Sequence, residues 1–241
     1  MSKVLALTHI YYNHSYNILK PLLLNLSEYD TCFLFSISLD CVERKKITQY
    51  IYTDFPNSFI IETPNIGKDI GGKLALLNLA LKLNLQSDYM VLLHDKVSPQ
   101  ELNGLEWRDK LLKIIDKETI KTILNLFETN TSIGIIASEE SISDEYSAET
   151  GNFSTVNNKM LQESISLYNI KTDNYKFVAG TMFWTRNAYM SDFFKLHPPI
   201  EMRKRLEHGN VLDNLNGTFT HTVERLFGLI AGNYGYKIQG V

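Results

Sequence analysis

Short apolar runs rich in β-branched and aromatic residues alternate with longer amphipathic stretches up to about residue 140. This alternation predicts βαβ units around a mostly parallel sheet. Val4–Ile10, Thr31–Ser38, Ser58–Glu62 and Tyr89–Leu93 are the expected strands. The amphipathic stretches at about Tyr16–Leu26, Val42–Tyr52 and Lys73–Leu83 are each long enough to cross back over a sheet. Further on, Trp107–Phe127 has the pattern of one long helix and Ile133–Ala137 that of a buried strand. Glu139–Asn152 is acidic and rich in Ser, Gly and Asn, which predicts a mobile surface loop. A helix at Thr155–Tyr168, an apolar strand at Phe177–Trp184, a short helix, a break at Pro198-Pro199 and a last helix at about Phe219–Tyr234 complete the pattern. No internal repeat or low-complexity linker divides the 241 residues, so one α/β domain is expected.

Composition narrows the function. With 44% hydrophobic and 21% charged residues the chain can bury a core. Lys plus Arg number 24 against 27 Asp plus Glu, and a net charge of -3 offers no basic field for nucleic acid. Cys32 and Cys41 have no neighbouring His or Cys at metal-ligand spacing, which fits a reducing compartment. The apolar N-terminal run is too short for a signal peptide, and no stretch approaches the roughly 20 apolar residues of a membrane span. The expected location is the cytoplasm.

In an open α/β sheet ligands gather at the carboxyl ends of the strands. Thr8-His9, Asn65 to Lys73, His94-Asp95-Lys96 and the region after Trp184 are the polar clusters expected at such ends. Asn65-Ile66-Gly67-Lys68-Asp69-Ile70-Gly71-Gly72-Lys73 follows a strand and opens a helix, so its backbone N–H groups are candidates to approach a phosphate. The same glycines would equally serve a tight turn. Gly67, Gly72 and Lys73 match G-x-x-x-x-G-K, but residue 74 is Leu, which has no hydroxyl for Mg²⁺, and this argues against a P-loop NTPase. Asp69 inside the loop suits a ribose or sugar hydroxyl. At the next strand end, Asp95 is a candidate ligand for Mg²⁺ or Mn²⁺ and Lys96 a candidate partner for a diphosphate, against the plainer reading of a solvated strand end.

On the last helix, Val223, Leu226, Phe227, Ile230, Ala231 and Tyr234 make one apolar stripe. His221, Glu224, Arg225, Gly228 and Gly232 fall on the opposite side, where small residues leave room for a ligand or a neighbouring backbone. Val178 to Trp184 has the composition of a buried strand, with Gly180 marking a close backbone approach and Trp184 to Arg186 a candidate sugar or phosphate contact. His14, His197, His208 and the two cysteines have no spacing that suggests a role.

Together, Asn65-x-Gly67-x-Asp69, His94-Asp95-Lys96, Trp107-Arg108, Gly180-Thr181-Met182-Phe183-Trp184 and His221-x-x-Glu224-Arg225-Leu226 resemble the rhamnan synthesis protein F family of glycosyltransferases, in the same order and over nearly the whole chain. The resemblance implies a GT-A-like, Rossmann-like fold and transfer of a sugar, often rhamnose, from a nucleotide donor during synthesis of a surface polysaccharide. Residues 1–138 would then bind the nucleotide sugar, and residues 139–241 would bring the acceptor and the catalytic groups. Where the family tends to carry a hydroxyl residue between His and Lys, this chain has Asp95, which leaves both a metal role and an altered donor preference open.

Glu224 precedes Gly235-Tyr236 by an interval similar to that of the catalytic acid in many inverting GT-A enzymes. On that likeness Glu224 is the expected general base, and His221, one turn earlier, orients it or holds the acceptor. His9, Asn65, Gly67, Lys68, Asp69, His94, Asp95 and Lys96 are the expected donor-binding residues, with Trp184, Arg186 and Arg225 as acceptor or sugar contacts. The implied partners are a nucleotide sugar and a glycan acceptor, which if lipid-linked would bring the chain to the inner face of the membrane. Two rival activities share such a layer, a sugar nucleotidyltransferase and a non-catalytic polysaccharide-binding subunit. The glycosyltransferase expectation requires both halves to converge on one cleft.

Overall fold

The structure, a computed structural model, describes residues 3–95, 104–153, 155–213 and 215–241. Lys96 lies outside the described residues. In chain order, β1 (Lys3–Ile10), α1 (Tyr16–Leu26), β2 (Asp30–Ser38), α2 (Arg44–Asp54), β3 (Phe59–Thr63), α3 (Lys68–Lys82) and β4 (Tyr89–His94) form the expected βαβ series. Next come α4 (Gly104–Leu112), a 3-10 turn at 113–115, α5 (Lys117–Thr129) and β5 (Ile133–Ala137). The single helix expected at Trp107–Phe127 is therefore two, because Asp116 is extended (ψ 144°) and restarts the helix as the N-cap of α5.

The expected surface loop at Glu139–Asn152 is instead ordered into a 3-10 turn, β6 (Ile142–Asp144), β7 (Tyr146–Ser147) and the start of β8 (Asn152–Phe153). Ser141 and Glu145 within it are fully buried. After α6 (Asn158–Leu167), the apolar run expected as one strand divides into β9 (Lys176–Val178) and β10 (Phe183–Arg186). The turn between them carries Gly180 at φ +82° and Thr181 at φ +50°, left-handed values that no strand accommodates. α7 (Asn187–Leu196), α8 (Pro199–Arg203), α9 (Phe219–Asn233) and β11 (Lys237–Gly240) complete the chain.

The central sheet has the order β11-β5-β10-β4-β1-β2-β3. β1, β2, β3 and β4 pair in parallel, as do β5 and β11, while β10 runs antiparallel to both β4 and β5. Strands from both ends of the chain thus share one sheet, with a single reversed strand. β6 pairs antiparallel with β9, and β7 with β8, in two small ribbons.

Along β1 the side chains alternate, as strand geometry requires. Val4 and Ala6 meet α1, α2 and α5 through Leu19, Leu23, Ile47, Ile51 and Ile123. Leu5 and Leu7 meet the other layer, where Leu74, Phe194 and Leu226 represent α3, α7 and α9. Burying each Val, Leu, Ile or Phe among these contributes about 1.5–3 kcal/mol. Exposed ion pairs on the helix surfaces contribute about 0–1 kcal/mol each, so the apolar stripes decide where the helices sit. Among the described residues no helix is long and apolar enough to cross a membrane.

Candidate active site

The chain runs outward from β1 to β3 and then returns to the other side of β1 as β4, so the strand order reverses between β1 and β4. Loops diverge at such a point and leave a crevice beyond the carboxyl ends. His9 and His94 lie side by side in the two strands, and the Asp95 N–H donates to the His9 carbonyl at 3.1 Å. Asp95 then closes the turn after β1. Its Oδ2 accepts the Tyr11 N–H at 2.8 Å, the Tyr12 N–H at 2.7 Å and the Ser15 hydroxyl. Oδ1 is buried with no partner among the described residues. Burial raises the Asp95 carboxyl to about 6, against the Ser15 and backbone hydrogen bonds that favour the ionised form.

On one side of Asp95 is a cavity of about 310 Å³ lined by Tyr12, Asn13, His14, Ser15, Ile18, Leu19, Arg108 and Leu112. On the α3 and α9 side is a second, of about 300 Å³, lined by Lys68, Asp69, Ile70, His94, Trp107, Ala179, Gly180, Thr220, His221 and Glu224. Both are of ligand-pocket size.

The floor of the second cavity is a buried ionic knot. Lys73 is fully buried, and its Nζ reaches Asp69 Oδ2 at 2.9 Å, His94 Nδ1 at 2.9 Å, the Thr181 carbonyl at 2.8 Å and Thr181 Oγ1 at 2.7 Å. The Thr181 hydroxyl donates in turn to Asp69 Oδ2 at 2.6 Å. The three ammonium hydrogens are shared among these four atoms, and His94 Nδ1 also lies 3.5 Å from Asp69 Oδ2. Burial alone would raise Asp69, but His94, Lys73 and the Thr181 hydroxyl outweigh it and hold the carboxyl well below the usual range.

Across the cavity, Glu224 is held from two sides. Its Oε1 accepts the Gly180 N–H at 2.8 Å and its Oε2 accepts Arg225 Nη1 at 2.7 Å. Burial pushes its carboxyl up, opposed by Arg225 and the Gly180 amide. His221 is lowered by burial and by the nearby Lys68, so it is neutral at pH 7. The α9 N-terminus carries its own caps: Thr218 Oγ1 accepts the His221 N–H, and Glu207 accepts the N–H groups of Phe219 and Thr220.

Residues 1–236 match the family model described as rhamnan synthesis protein F. The chain belongs to the rhamnan synthesis protein F family. Two curated relatives, each called "Uncharacterized protein WxcX", come from Xanthomonas campestris pv. campestris strains B100 and ATCC 33913. Each is 23% identical over 232 residues, covering 93% of this chain and 31% of the relative, so the chain spans about a third of their length. Among solved structures, the mannosyltransferase PcManGT from Pyrobaculum calidifontis, in complex with GDP-Man and Mn²⁺, aligns with a TM-score of 0.46 at 13% identity. That alignment covers 99% of this chain and 54% of the other.

In this family member, Lys68, Asp69, His94, His221 and Glu224 line one cavity, although they come from α3, β4 and α9. Asp95 sits on the wall of the other. Other expected contacts lie elsewhere. His9 is buried against Ser36 at 3.2 Å and packs on Gly72, and burial lowers it to about 4, so it is a neutral interior group that lines neither cavity. Gly67 has φ +71°, and its N–H donates to the Glu207 carbonyl at 2.7 Å, which leaves that amide unavailable to a phosphate. Asn65 binds the Asn210 side chain and the Gly209 N–H, bracing the loop against residues 207–210.

Trp184 is fully buried and donates to the Ile114 carbonyl at 3.0 Å; Arg186 caps carbonyls of Phe127, Asn130 and Ile133. Neither reaches the crevice: Trp184, paired with Val91 and Ile136, turns its ring into the core, and Arg186, paired with Tyr89, lies at the start of β4 because β10 is the reversed strand. Arg225 is buried among Glu145, Glu224 and the Phe177 ring and is not a surface contact. Gly228 makes room for the backbone of Lys176 and Phe177.

Sequence reasoning missed Lys73 as the clamp on Asp69, Thr181, Glu145, and the Tyr11–Ser15 turn. The polar run Tyr11-Tyr12-Asn13-His14-Ser15 directly after a buried strand is a signal that would have pointed to that turn.

Proposed function

We propose that this chain is a glycosyltransferase domain with a GT-A-like arrangement, moving rhamnose or a similar hexose from a nucleoside-diphosphate donor to a polysaccharide acceptor with inversion. The observation that carries this reading is the position of Glu224, a desolvated carboxylate facing a cavity whose other wall is the carboxyl end of β4 and the start of α3. The donor lies across the switch point, its nucleoside toward Tyr12 and Arg108 and its sugar toward Asp69 and His94. Each cavity alone is at the low end of ligand-pocket volumes; Asp95 lines the first and the adjacent His94 the second.

The orphaned Oδ1 of Asp95 fits one ligand position for Mg²⁺ or Mn²⁺, with phosphate and water supplying the others, and such an ion would neutralise charge on the diphosphate. Among the described residues no group of three or more His, Cys, Asp or Glu forms a metal site by itself.

Glu224 takes the proton of the acceptor hydroxyl as its oxygen attacks the anomeric carbon. The bond from that carbon to the phosphate oxygen breaks, and its electron pair leaves with the nucleoside diphosphate. Lys68 supplies positive charge on the donor side, and His94, braced through Nδ1 by Lys73, offers Nε2 for a hydrogen bond to a sugar hydroxyl. Asp69 is held ionised as an acceptor for another hydroxyl. Neutral His221 sits on the acceptor side, one turn from Glu224.

Incubation with dTDP-rhamnose, UDP-glucose and GDP-mannose, reading out released nucleoside diphosphate and the anomeric configuration of the product by NMR, tests the proposal. Release of pyrophosphate from a nucleoside triphosphate and sugar phosphate would identify a nucleotidyltransferase instead. Glycan binding without turnover would identify a binding subunit, and retention of configuration would remove the base role of Glu224.

A further inference from the structure

Glu145 is a fully buried carboxylate in a stretch whose composition suggests solvent. The β6/β9 ribbon carries it inward: Ile142 pairs with Val178 and Asp144 with Lys176, and the Glu145 N–H donates to the Tyr175 carbonyl at 3.1 Å. Its Oε2 accepts Arg225 Nε at 3.0 Å, and its Oε1 accepts the Thr155 hydroxyl. Arg225 spends its other arm on the His221 carbonyl, at 2.9 Å, and on Glu224 Oε2, at 2.7 Å. A guanidinium is a rigid plane, so anchoring Nε decides where Nη1 points.

From this geometry we propose that Glu145 is a positioning residue: it fixes the Arg225 plane so that Arg225 and the Gly180 amide hold the Glu224 carboxylate toward the cavity from opposite sides. One structural unit supplies both constraints, since β9 leads directly into Gly180. Buried ion pairs are seldom the most stabilising way to fill a core, because well-packed apolar residues of the same volume do as well. Here the third member of the chain of charges faces the cavity, and the arrangement has a use there. Two carboxylates share one guanidinium, so Glu145 also tempers the pull of Arg225 on Glu224.

The proposal rests on the reading of Glu224 as base, but its test does not require turnover. The charged and titratable groups around Glu224 are His221 and Arg225 on α9, Lys68, Asp69 and Lys73 on α3, His94 on β4, and Glu145. In protein labelled with ¹³Cδ-glutamate, the Glu224 resonance is assigned by its loss in Glu224→Gln and titrated in each variant. Glu145→Gln keeps an acceptor for Arg225 but removes the competing charge, so the Glu224 midpoint should fall, by about one pH unit. Arg225→Met should raise it by at least as much, and Arg225→Lys should return the charge without the fork.

With the best of the three nucleotide sugars as probe, the acid limb of kcat/KM should move with the midpoint. Arg225→Lys should keep the donor KM and lose about tenfold in kcat, because orientation is lost. Unmoved midpoints, or shifts of the same sign in Glu145→Gln and Arg225→Met, overturn the proposal. Should Glu145→Gln melt, the raised midpoint of Arg225→Met against the restored midpoint and lowered kcat of Arg225→Lys carries the test. Full turnover in Glu224→Gln would instead defeat the base reading and leave the measured coupling standing.

Discussion

Replacing Glu224 by Gln removes the proposed base while nearly preserving shape, and the structure shows what else it does. Both carboxylate oxygens accept from donors, the Gly180 amide at 2.8 Å and Arg225 Nη1 at 2.7 Å. An amide has one oxygen, so whichever way it turns, its NH₂ meets a donor. One hydrogen bond is lost and a buried donor is left facing another, which costs about 1–3 kcal/mol of stability. For a chain of this length that lowers Tm by about 2–4 °C per kcal/mol, small enough to leave the protein folded at assay temperature. The catalytic loss is separate and larger: losing a general base lowers kcat by about a hundredfold or more, or about 2.7 kcal/mol of barrier at about 1.4 kcal/mol per tenfold. The assay pairs nucleoside-diphosphate release with donor affinity by calorimetry and a melting curve. Turnover within about threefold of wild type at unchanged donor affinity would refute the assignment. Turnover that falls only in step with the folded fraction would refute it too.

Three further outcomes are expected. His9, lowered from 6.5 to about 4, binds its proton more readily when unfolded, so its contribution to stability falls as pH drops from 6.5 to 4. Asp95, raised from 3.8 to about 6, has the opposite sign, its contribution growing as pH drops from 6 to 3.8. Each is worth about 3 kcal/mol at about 1.4 kcal/mol per pH unit. Urea melts should therefore show Asp95→Asn losing stability toward pH 4 more steeply than wild type and His9→Gln less steeply; parallel profiles would contradict both environments. Calorimetry with Mn²⁺ should show no tight binding to the protein alone, and binding only once a nucleoside diphosphate is present, because the described residues form no cluster of metal ligands around the one free Asp95 oxygen; tight binding without nucleotide would show a complete metal site. Trp184→Phe should lose about 1–3 kcal/mol through the unpaired Ile114 carbonyl yet keep its KM for donor and acceptor, whereas a raised acceptor KM would restore Trp184 as a sugar contact.

The pattern of apolar positions was enough for the layer from β1 to β4, because period-two and period-3.6 burial is written locally and the core only collects it. The same local logic located Asp69, His94, Asp95 and Glu224, polar residues at strand ends or on the face of a helix opposite its apolar stripe. Reversal of β10 was beyond it. Phe177–Trp184 reads as one apolar strand, and nothing in its composition tells that Gly180 and Thr181 turn the chain; that single turn put Trp184 inside the core and Arg186 at the far end of the sheet, and brought the Gly180 amide to Glu224. Glu145 and Lys73 illustrate the same limit. Their residue types predict solvent, and only pairing with partners distant in the chain, Arg225 for one and His94 and Thr181 for the other, makes their burial affordable. Sequence determined which residues are candidates for chemistry; the tertiary structure decided which of them share a cavity, because a buried charge is stable only where the fold delivers its counter-charge.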